Sequence, residues 1–257
     1  GGRGRVVYAL FPGLERLGDG APLEQFRSLR LRNMGNDWAY AAMRDAYCHR
    51  LAEGLGLARM AWRPVSVYLD GEYWGLLEMR EEQDADYFEY HYGVPRGDVV
   101  IVNPPGTVVE GIAGDANPFT ALRSFAETHD LAVPEHFAHV AARMDVESFL
   151  LYQLVQIWAG NADWPHNNTR VWRRRQPNPL PDPTQVPPGH DGRWRWILFD
   201  LDLAVGHPWA GGASENTLAH ALSPTGRPPI NAPWATALLR ALIKNPQVKA
   251  QFVNLAA

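Results

Sequence analysis

The run Gly160-Asn-Ala-Asp163-Trp-Pro-His-Asn-Asn168 is a polar loop between two patterned elements, and its reading decides the fold. Upstream, Val146–Ala159 carries apolar residues at helical spacing, with Asp145 as its cap and Gly160 as its stop. Downstream, Thr169–Arg173 and Arg193–Phe199 read as strands. The second leads into Trp196-Ile-Leu-Phe-Asp200-Leu-Asp202-Leu-Ala-Val-Gly206, so two carboxylates stand at the end of an apolar strand. Antiparallel pairing sets the start of one strand against the end of the other, and neighbouring strands lie about 4.8 Å apart. That topology predicts Asn168 beside Asp200, with Asp163 one short loop away.

Between these strands, Gln176–Asp191 is proline-rich and reads as a mobile excursion from the hairpin, dispensable for folding. Pro118–His129 and Pro134–Arg143 join Val146–Ala159 as consecutive helices. Asp200–Pro233 reads as irregular, followed by helical Trp234–Ile243 and Val248–Leu255. Toward the N-terminus, Val6–Phe11, Phe26–Leu31 and Val99–Val102 read as strands, and Arg63–Asp70 with Glu72–Met79 as a hairpin around Asp70-Gly71. Trp38–Leu55, capped by Asp37, and Asp84–Tyr92 read as helices. A strand-rich part, residues 1–104, is thus followed by a helix-rich part, residues 105–257, an α+β arrangement in two lobes.

Composition narrows the function classes. Of 257 residues, 46% are hydrophobic and 20% charged, which excludes a mainly disordered chain. A net charge of −4 gives no reason to expect a nucleic-acid partner. No apolar stretch approaches the roughly 20 residues of a membrane span. A single cysteine, Cys48, excludes an internal disulfide and a Cys-rich zinc site. The basic residues are 22 arginines and only Lys244 and Lys249. The opening Gly1-Gly2-Arg3, without methionine, reads as cut from a longer sequence.

Carboxylates and an amide converging from Asp163, Asn168, Asp200 and Asp202 favour a hard divalent cation such as magnesium. Arg170, Arg193 and Arg195 offer another way to neutralise them, with no metal. The order also follows the logic of phosphoryl transfer. There an Asp orients the attacking hydroxyl, an Asn five residues later binds metal, and a strand-end Asp binds metal against the phosphates. Asp163, Asn168 and Asp200 fit that order.

Further blocks accompany this pair in sequence order. They are Leu29-Arg-Leu-Arg-Asn-Met-Gly-Asn-Asp37, Met43-Arg-Asp45, Pro64-Val-Ser-Val-Tyr-Leu-Asp-Gly-Glu-Tyr-Trp-Gly75, and Glu81 with Asp84. Together, from about Tyr8 to Gly206, the chain resembles the spore coat protein H (CotH) kinase-like family, atypical relatives of the protein kinases. The resemblance implies an atypical kinase-like two-lobed fold, here lacking its first N-terminal strands. It implies ATP- and magnesium-dependent phosphorylation of a Ser/Thr hydroxyl on a protein substrate, in a spore-coat, cell-surface or secreted setting. By the same resemblance Asp163 is the catalytic aspartate, and Asn168 acts beside it and as a metal ligand. Asp200 is the metal-binding aspartate, Asp202 a second ligand, and Glu81 the partner of a phosphate-binding cation. The family's pattern is departed from in two places. No lysine precedes Lys244: the basic segment that carries one in the family is either deleted or lost at the start of the sequence. Arg30 or Arg32 could substitute electrostatically for that phosphate-binding lysine, although a guanidinium is not equivalent to an ammonium. No Gly-rich phosphate loop is present. A catalytically silent surface or coat protein and a metal-dependent hydrolase are the alternative functions.

Overall fold

The computed structural model describes residues 4–176, 185–210, 214–225 and 232–257. Its first strands are short: β1 (Val6–Val7) pairs antiparallel with β2 (Gln25–Phe26). The strand expected over Phe26–Leu31 breaks after Phe26 and resumes as β3 (Leu29–Arg32). The break has a local cause, because the two intervening side chains are tethered to a helix. Arg27 donates to Asp86 and Glu89 at 2.9 and 2.7 Å, and Ser28 donates to Asp84 at 2.8 Å.

The helix expected from Trp38 begins later, as α1 (Arg44–Leu51). Asp37 is buried, and its carboxylate accepts from the backbone N–H of Ala41, Met43 and Arg44 at 3.2, 3.0 and 3.0 Å. It therefore caps α1 from a distance and holds Trp38–Met43 in turns. β4 (Trp62–Leu69) and β5 (Glu72–Glu81) form the expected hairpin, with Asp70 and Gly71 at φ 50° and 87°, the left-handed conformations a tight turn requires. β5 also pairs with β3, giving an antiparallel sheet ordered β3-β5-β4. α2 (Ala85–Tyr92) follows, capped by Asp84 and stopped at Gly93.

A second antiparallel sheet, ordered β7-β6-β8-β9, positions the site: β6 (Val99–Asn103), β7 (Thr107–Glu110), β8 (Arg170–Arg174) and β9 (Arg195–Ile197). β7 carries too short an apolar run to be read from sequence. The division expected at residue 104 falls at the β6–β7 turn, inside this sheet. β8 and β9 pair in the expected sense, Arg170 opposite Ile197 and Trp172 opposite Arg195.

α3 (Asn117–Thr128), α4 (Pro134–Ala141) and α5 (Val146–Ala159) are consecutive, and Asp145 caps α5 through Ser148 N–H at 3.1 Å. α5 lies against the sheet, with the Phe149 and Trp196 rings 4.5 Å apart and Leu150, Val171 and Leu198 fully buried. Each such aliphatic side chain contributes about 1.5–3 kcal/mol. α6 (Thr217–Leu222) forms within the stretch expected to be irregular, capped by Asn216, and α7 (Pro233–Leu242) and α8 (Pro246–Ala256) complete an α+β fold. Among the described residues no helix is long and apolar enough to cross a membrane.

The excursion Gln176–Asp191 differs from its reading. Residues 177–184 lie outside the described residues, but both ends are tied into the fold. Gln176 donates to the His190 carbonyl at 2.5 Å, and His190 Nε2 donates to the Tyr92 carbonyl at 2.7 Å. Buried Asp191 receives two 2.7 Å bonds from Arg195 and another from Arg193. Asp191, the last residue of the segment, is therefore part of the fold, because removing it would leave the buried Arg195 with Asp145, at 3.0 Å, as its counter-charge among the described residues.

Candidate active site

The β8–β9 register brings Asn168, just before β8, to the same end of the sheet as Asp200, just after β9. Both take left-handed backbone conformations, φ 51° and 56°, which Asn and Asp tolerate best among residues with a Cβ. The Asn168 amide donates to Asp163 Oδ2 at 2.7 Å and to the Asp200 carbonyl at 3.4 Å. Asn167 donates to the same Asp163 oxygen at 3.3 Å. Asn161, at the end of α5, donates to Gln156 at 3.0 Å and to the Asp200 carbonyl at 3.4 Å. Asp163, Asn168 and Asp200 are thus in one cluster, and the second oxygen of Asp163 is buried without a hydrogen-bond partner among the described residues.

The positive side of the cluster comes from β3. Arg32 bonds Asp200, lies 3.2 Å from Asp202 Oδ2, and reaches Asp45 on α1 at 2.7 Å. Asp202 is almost wholly buried; its Oδ2 also accepts from Asn36 N–H at 2.6 Å, and its Oδ1 has no hydrogen-bond partner among the described residues. Asp45 is the hub beneath. It accepts from Arg80 and from Leu201 N–H at 2.5 Å, and Arg80 in turn pairs with Glu78 at 2.6 Å. Burial alone would raise the Asp45 carboxyl, but His49, Arg80, Arg32 and the Leu201 N–H hold it well below the carboxylate range. Asp45, Arg80, Glu78 and Asn36 received no role from sequence. Their signals were the acid of Met43-Arg-Asp45 and the charges alternating with Met79 along an apolar strand.

Of the arginines offered as neutralising partners, Arg193 and Arg195 turn away, to Asp191 and Asp145. Arg170 lies over the Phe199 ring at 4.4 Å and donates to Asn103 at 3.1 Å. Neutralisation therefore falls to Arg32. A recess of about 230 Å³ opens beside Asp200, lined by Arg30, Arg32, Arg80 and Arg170 with Met60 and Phe199. Exposed Arg30 pairs there with Glu82 at 2.5 Å. Glu81 does not line this recess. Its carboxylate accepts from Ala61 N–H at 2.8 Å and is 2.8 Å from His91 Nε2, so both oxygens are spent on the fold.

The carboxylates remain under-neutralised. Burial first, then Asp200 and Asp202, pushes Asp163 up to about 6. Asp200 is also raised, by burial and by Asp202 and Asp45, against the pull of Arg32. Excess negative charge, two orphaned buried carboxylate oxygens and the Asn168 amide suit an oxygen-liganded divalent cation. No set of three or more His, Cys, Asp and Glu side chains among the described residues is grouped so as to hold a metal ion by itself.

A family model described as CotH kinase protein matches residues 13–257. No curated protein matches the chain. The family match spans most of the sequence, so the chain belongs to the CotH kinase family.

Proposed function

We propose that the chain is an ATP- and magnesium-dependent phosphotransferase acting on a Ser/Thr hydroxyl of a protein. The observation that carries this reading is the convergence of Asp163, Asn168 and Asp200 beside an arginine-lined recess. On this reading the part before β6 is the smaller lobe and the part from β6 onward the larger, because β6 pairs with β7 and β8. The site lies where the two meet. The protein works in a secreted, cell-surface or spore-coat setting.

The roles follow from chemistry. Asp163 accepts a hydrogen bond from the incoming hydroxyl and takes its proton as the oxygen attacks the terminal phosphorus. The bond to the bridging oxygen breaks, and ADP leaves with the electron pair. A base placed this way contributes about 10²–10⁴-fold in rate, and its raised proton affinity suits the task. Asn168 fixes the Asp163 carboxylate through its amide N–H, which leaves its carbonyl oxygen free to join Asp200 and Asp202 as metal ligands. Magnesium held there neutralises charge on the phosphate oxygens. Arg30, Arg32 and Arg170 supply a cationic wall for the phosphates.

A second reading, a catalytically silent coat or surface member, draws on one observation: Arg32 already binds both Asp200 and Asp202. Thermal melting separates the two. At a hundredfold excess over Kd, magnesium and ATP together stabilise by about 2.7 kcal/mol, roughly 5–10 °C for a domain of this size. Asp200→Ala abolishes that shift, whereas Asp163→Ala keeps most of it and loses phosphate transfer to protein. No shift in the parent chain overturns the kinase reading and leaves the scaffold.

A further inference from the structure

We propose that the chain carries a second ligand site, apart from the Asp163–Asp200 cluster, that binds a small organic oxyanion with an apolar or aromatic body. The site is a recess of about 360 Å³ formed where α3 and α4 meet the far end of β8. Side chains alternate along a strand, so Arg173 faces the opposite side of the sheet from Arg170, and the two recesses share no lining residue.

Positive charge gathers in this recess without an answering carboxylate among the described lining residues. Arg173 is half-buried and its Nε is enclosed with no acceptor among the described residues. Its guanidinium rests 4.9 Å from the centre of the Trp194 ring. Arg143 spends one nitrogen on the His139 carbonyl at 2.8 Å. Among the described residues no carboxylate forms an ion pair with either arginine. The nearby Asp115 is taken by Arg175, at 2.7 Å for the closest contact, and by Ile112 N–H at 2.7 Å. Burial, with Arg175 close by, lowers the proton affinity of Arg173, and Asp115 offsets only part of this. Burial and the surrounding Arg143, His129 and His136 likewise lower His139, which stacks on Phe125 at 3.9 Å.

Half-burying cations without a counter-ion is costly, and a bound anion offsets that cost. Two guanidinium groups suit carboxylate or phosphate oxygens. The other walls, Leu122, Phe125 and Trp194, offer a ring or short alkyl group an apolar seat. The volume lies at the small end of organic ligand pockets, roughly 300–1,000 Å³. The site does not depend on the phosphotransfer reading.

Titration calorimetry on the whole chain tests it, with benzoate and phenyl phosphate as aryl oxyanions and inorganic phosphate as the headgroup alone. The expected result is that an aryl anion binds at least about tenfold tighter than inorganic phosphate, the apolar seat supplying the difference. Arg173→Met and Arg143→Met each weaken it by about tenfold or more, because each removes a charged hydrogen-bond donor while keeping the aliphatic stem. Benzoate ahead of phenyl phosphate marks a carboxylate site, and the reverse marks a phosphate site. Asp200→Ala leaves the binding unchanged, and Arg173→Met keeps the magnesium–ATP shift. If Arg173→Met fails to melt cooperatively, Arg143→Met carries the test alone, since among the described residues its guanidinium bonds a carbonyl and no carboxylate. Four results overturn the proposal: no binding of either aryl anion, parity with inorganic phosphate, survival in the arginine variants, or loss with Asp200→Ala.

Discussion

Arg32 is hydrogen-bonded to Asp200, which ties β3 to the end of β9 across 168 positions of sequence. The same guanidinium also serves Asp45 and Asp202, so one cation balances three acids. Arg32→Met removes that balance and is expected to cost on the order of 3 kcal/mol, since it strands buried charge. The variant is also expected to gain more melting temperature from millimolar magnesium than the parent does, because the carboxylates lose their competing cation. Equal gains in the two proteins would show that Arg32 does not compete for the metal position.

Glu81 separates a structural role from a nucleotide-binding one. Glu81→Ala strands the buried Ala61 N–H and removes the partner of His91. Leaving a buried donor unsatisfied costs about 1–3 kcal/mol, readable as a lower urea midpoint. The magnesium–ATP melting shift is expected to survive in this variant. Its loss, at a temperature where the variant is folded, would return Glu81 to the nucleotide site.

How much of this was legible follows the range of each interaction. The Asp163–Asn168–Asp200 cluster was readable because one hairpin register and one loop spacing place all three. The partners of those acids were not, because Arg32 meets Asp45 across 13 positions and Arg80 meets Asp45 across 35, with no periodicity to mark either. The late start of α1 has a similar origin: the carboxylate of Asp37 bonds N–H groups up to seven positions away, which helical patterning does not register. The two-position break before β3 comes from tethers to α2, and the fixed ends of Gln176–Asp191 come from an ion pair that follows a proline-rich run.

His49 makes stability depend on pH. It is buried on α1, and its Nδ1 accepts from Met60 N–H at 3.1 Å, so it is held neutral. Burial, with Arg80, Arg59 and Arg32 near, pushes it down to about 4 despite Asp45. The unfolded chain takes up this proton near the ordinary 6.5, so the contribution is whole above that pH and falls away as pH drops toward 4. The span corresponds to about 3 kcal/mol. Asp163, raised to about 6, acts in the opposite direction and adds stability as pH falls below that value. In urea unfolding, subtracting His49→Asn from the parent cancels the Asp163 effect, and that stability difference is expected to fall by about 3 kcal/mol as pH drops from 6.5 to 4. Parallel slopes would mean that His49 is not the proton acceptor.

Gly35 tests whether the turn before α1 positions Asp202. Its φ is 59°, and a Cβ there would run into Asp202 Oδ2 and the Arg32 guanidinium. Its neighbour Asn36 supplies the N–H that holds Asp202. Gly35→Ala therefore carries two costs, the left-handed backbone at about 1–2 kcal/mol and displacement of a proposed metal ligand together with its arginine. Gly71→Ala carries only the first, because its φ is 87° and nothing lies within 4 Å of the added Cβ. Both variants are expected to melt lower than the parent by similar amounts from backbone strain, with Gly35→Ala somewhat the worse. Only Gly35→Ala is expected to lose the magnesium–ATP shift. If both variants keep it, Asp202 does not need the turn to reach its ligand position; if both lose it, strain anywhere in the β3-β5-β4 sheet and its turns is enough to close the site, and Gly35 has no special claim.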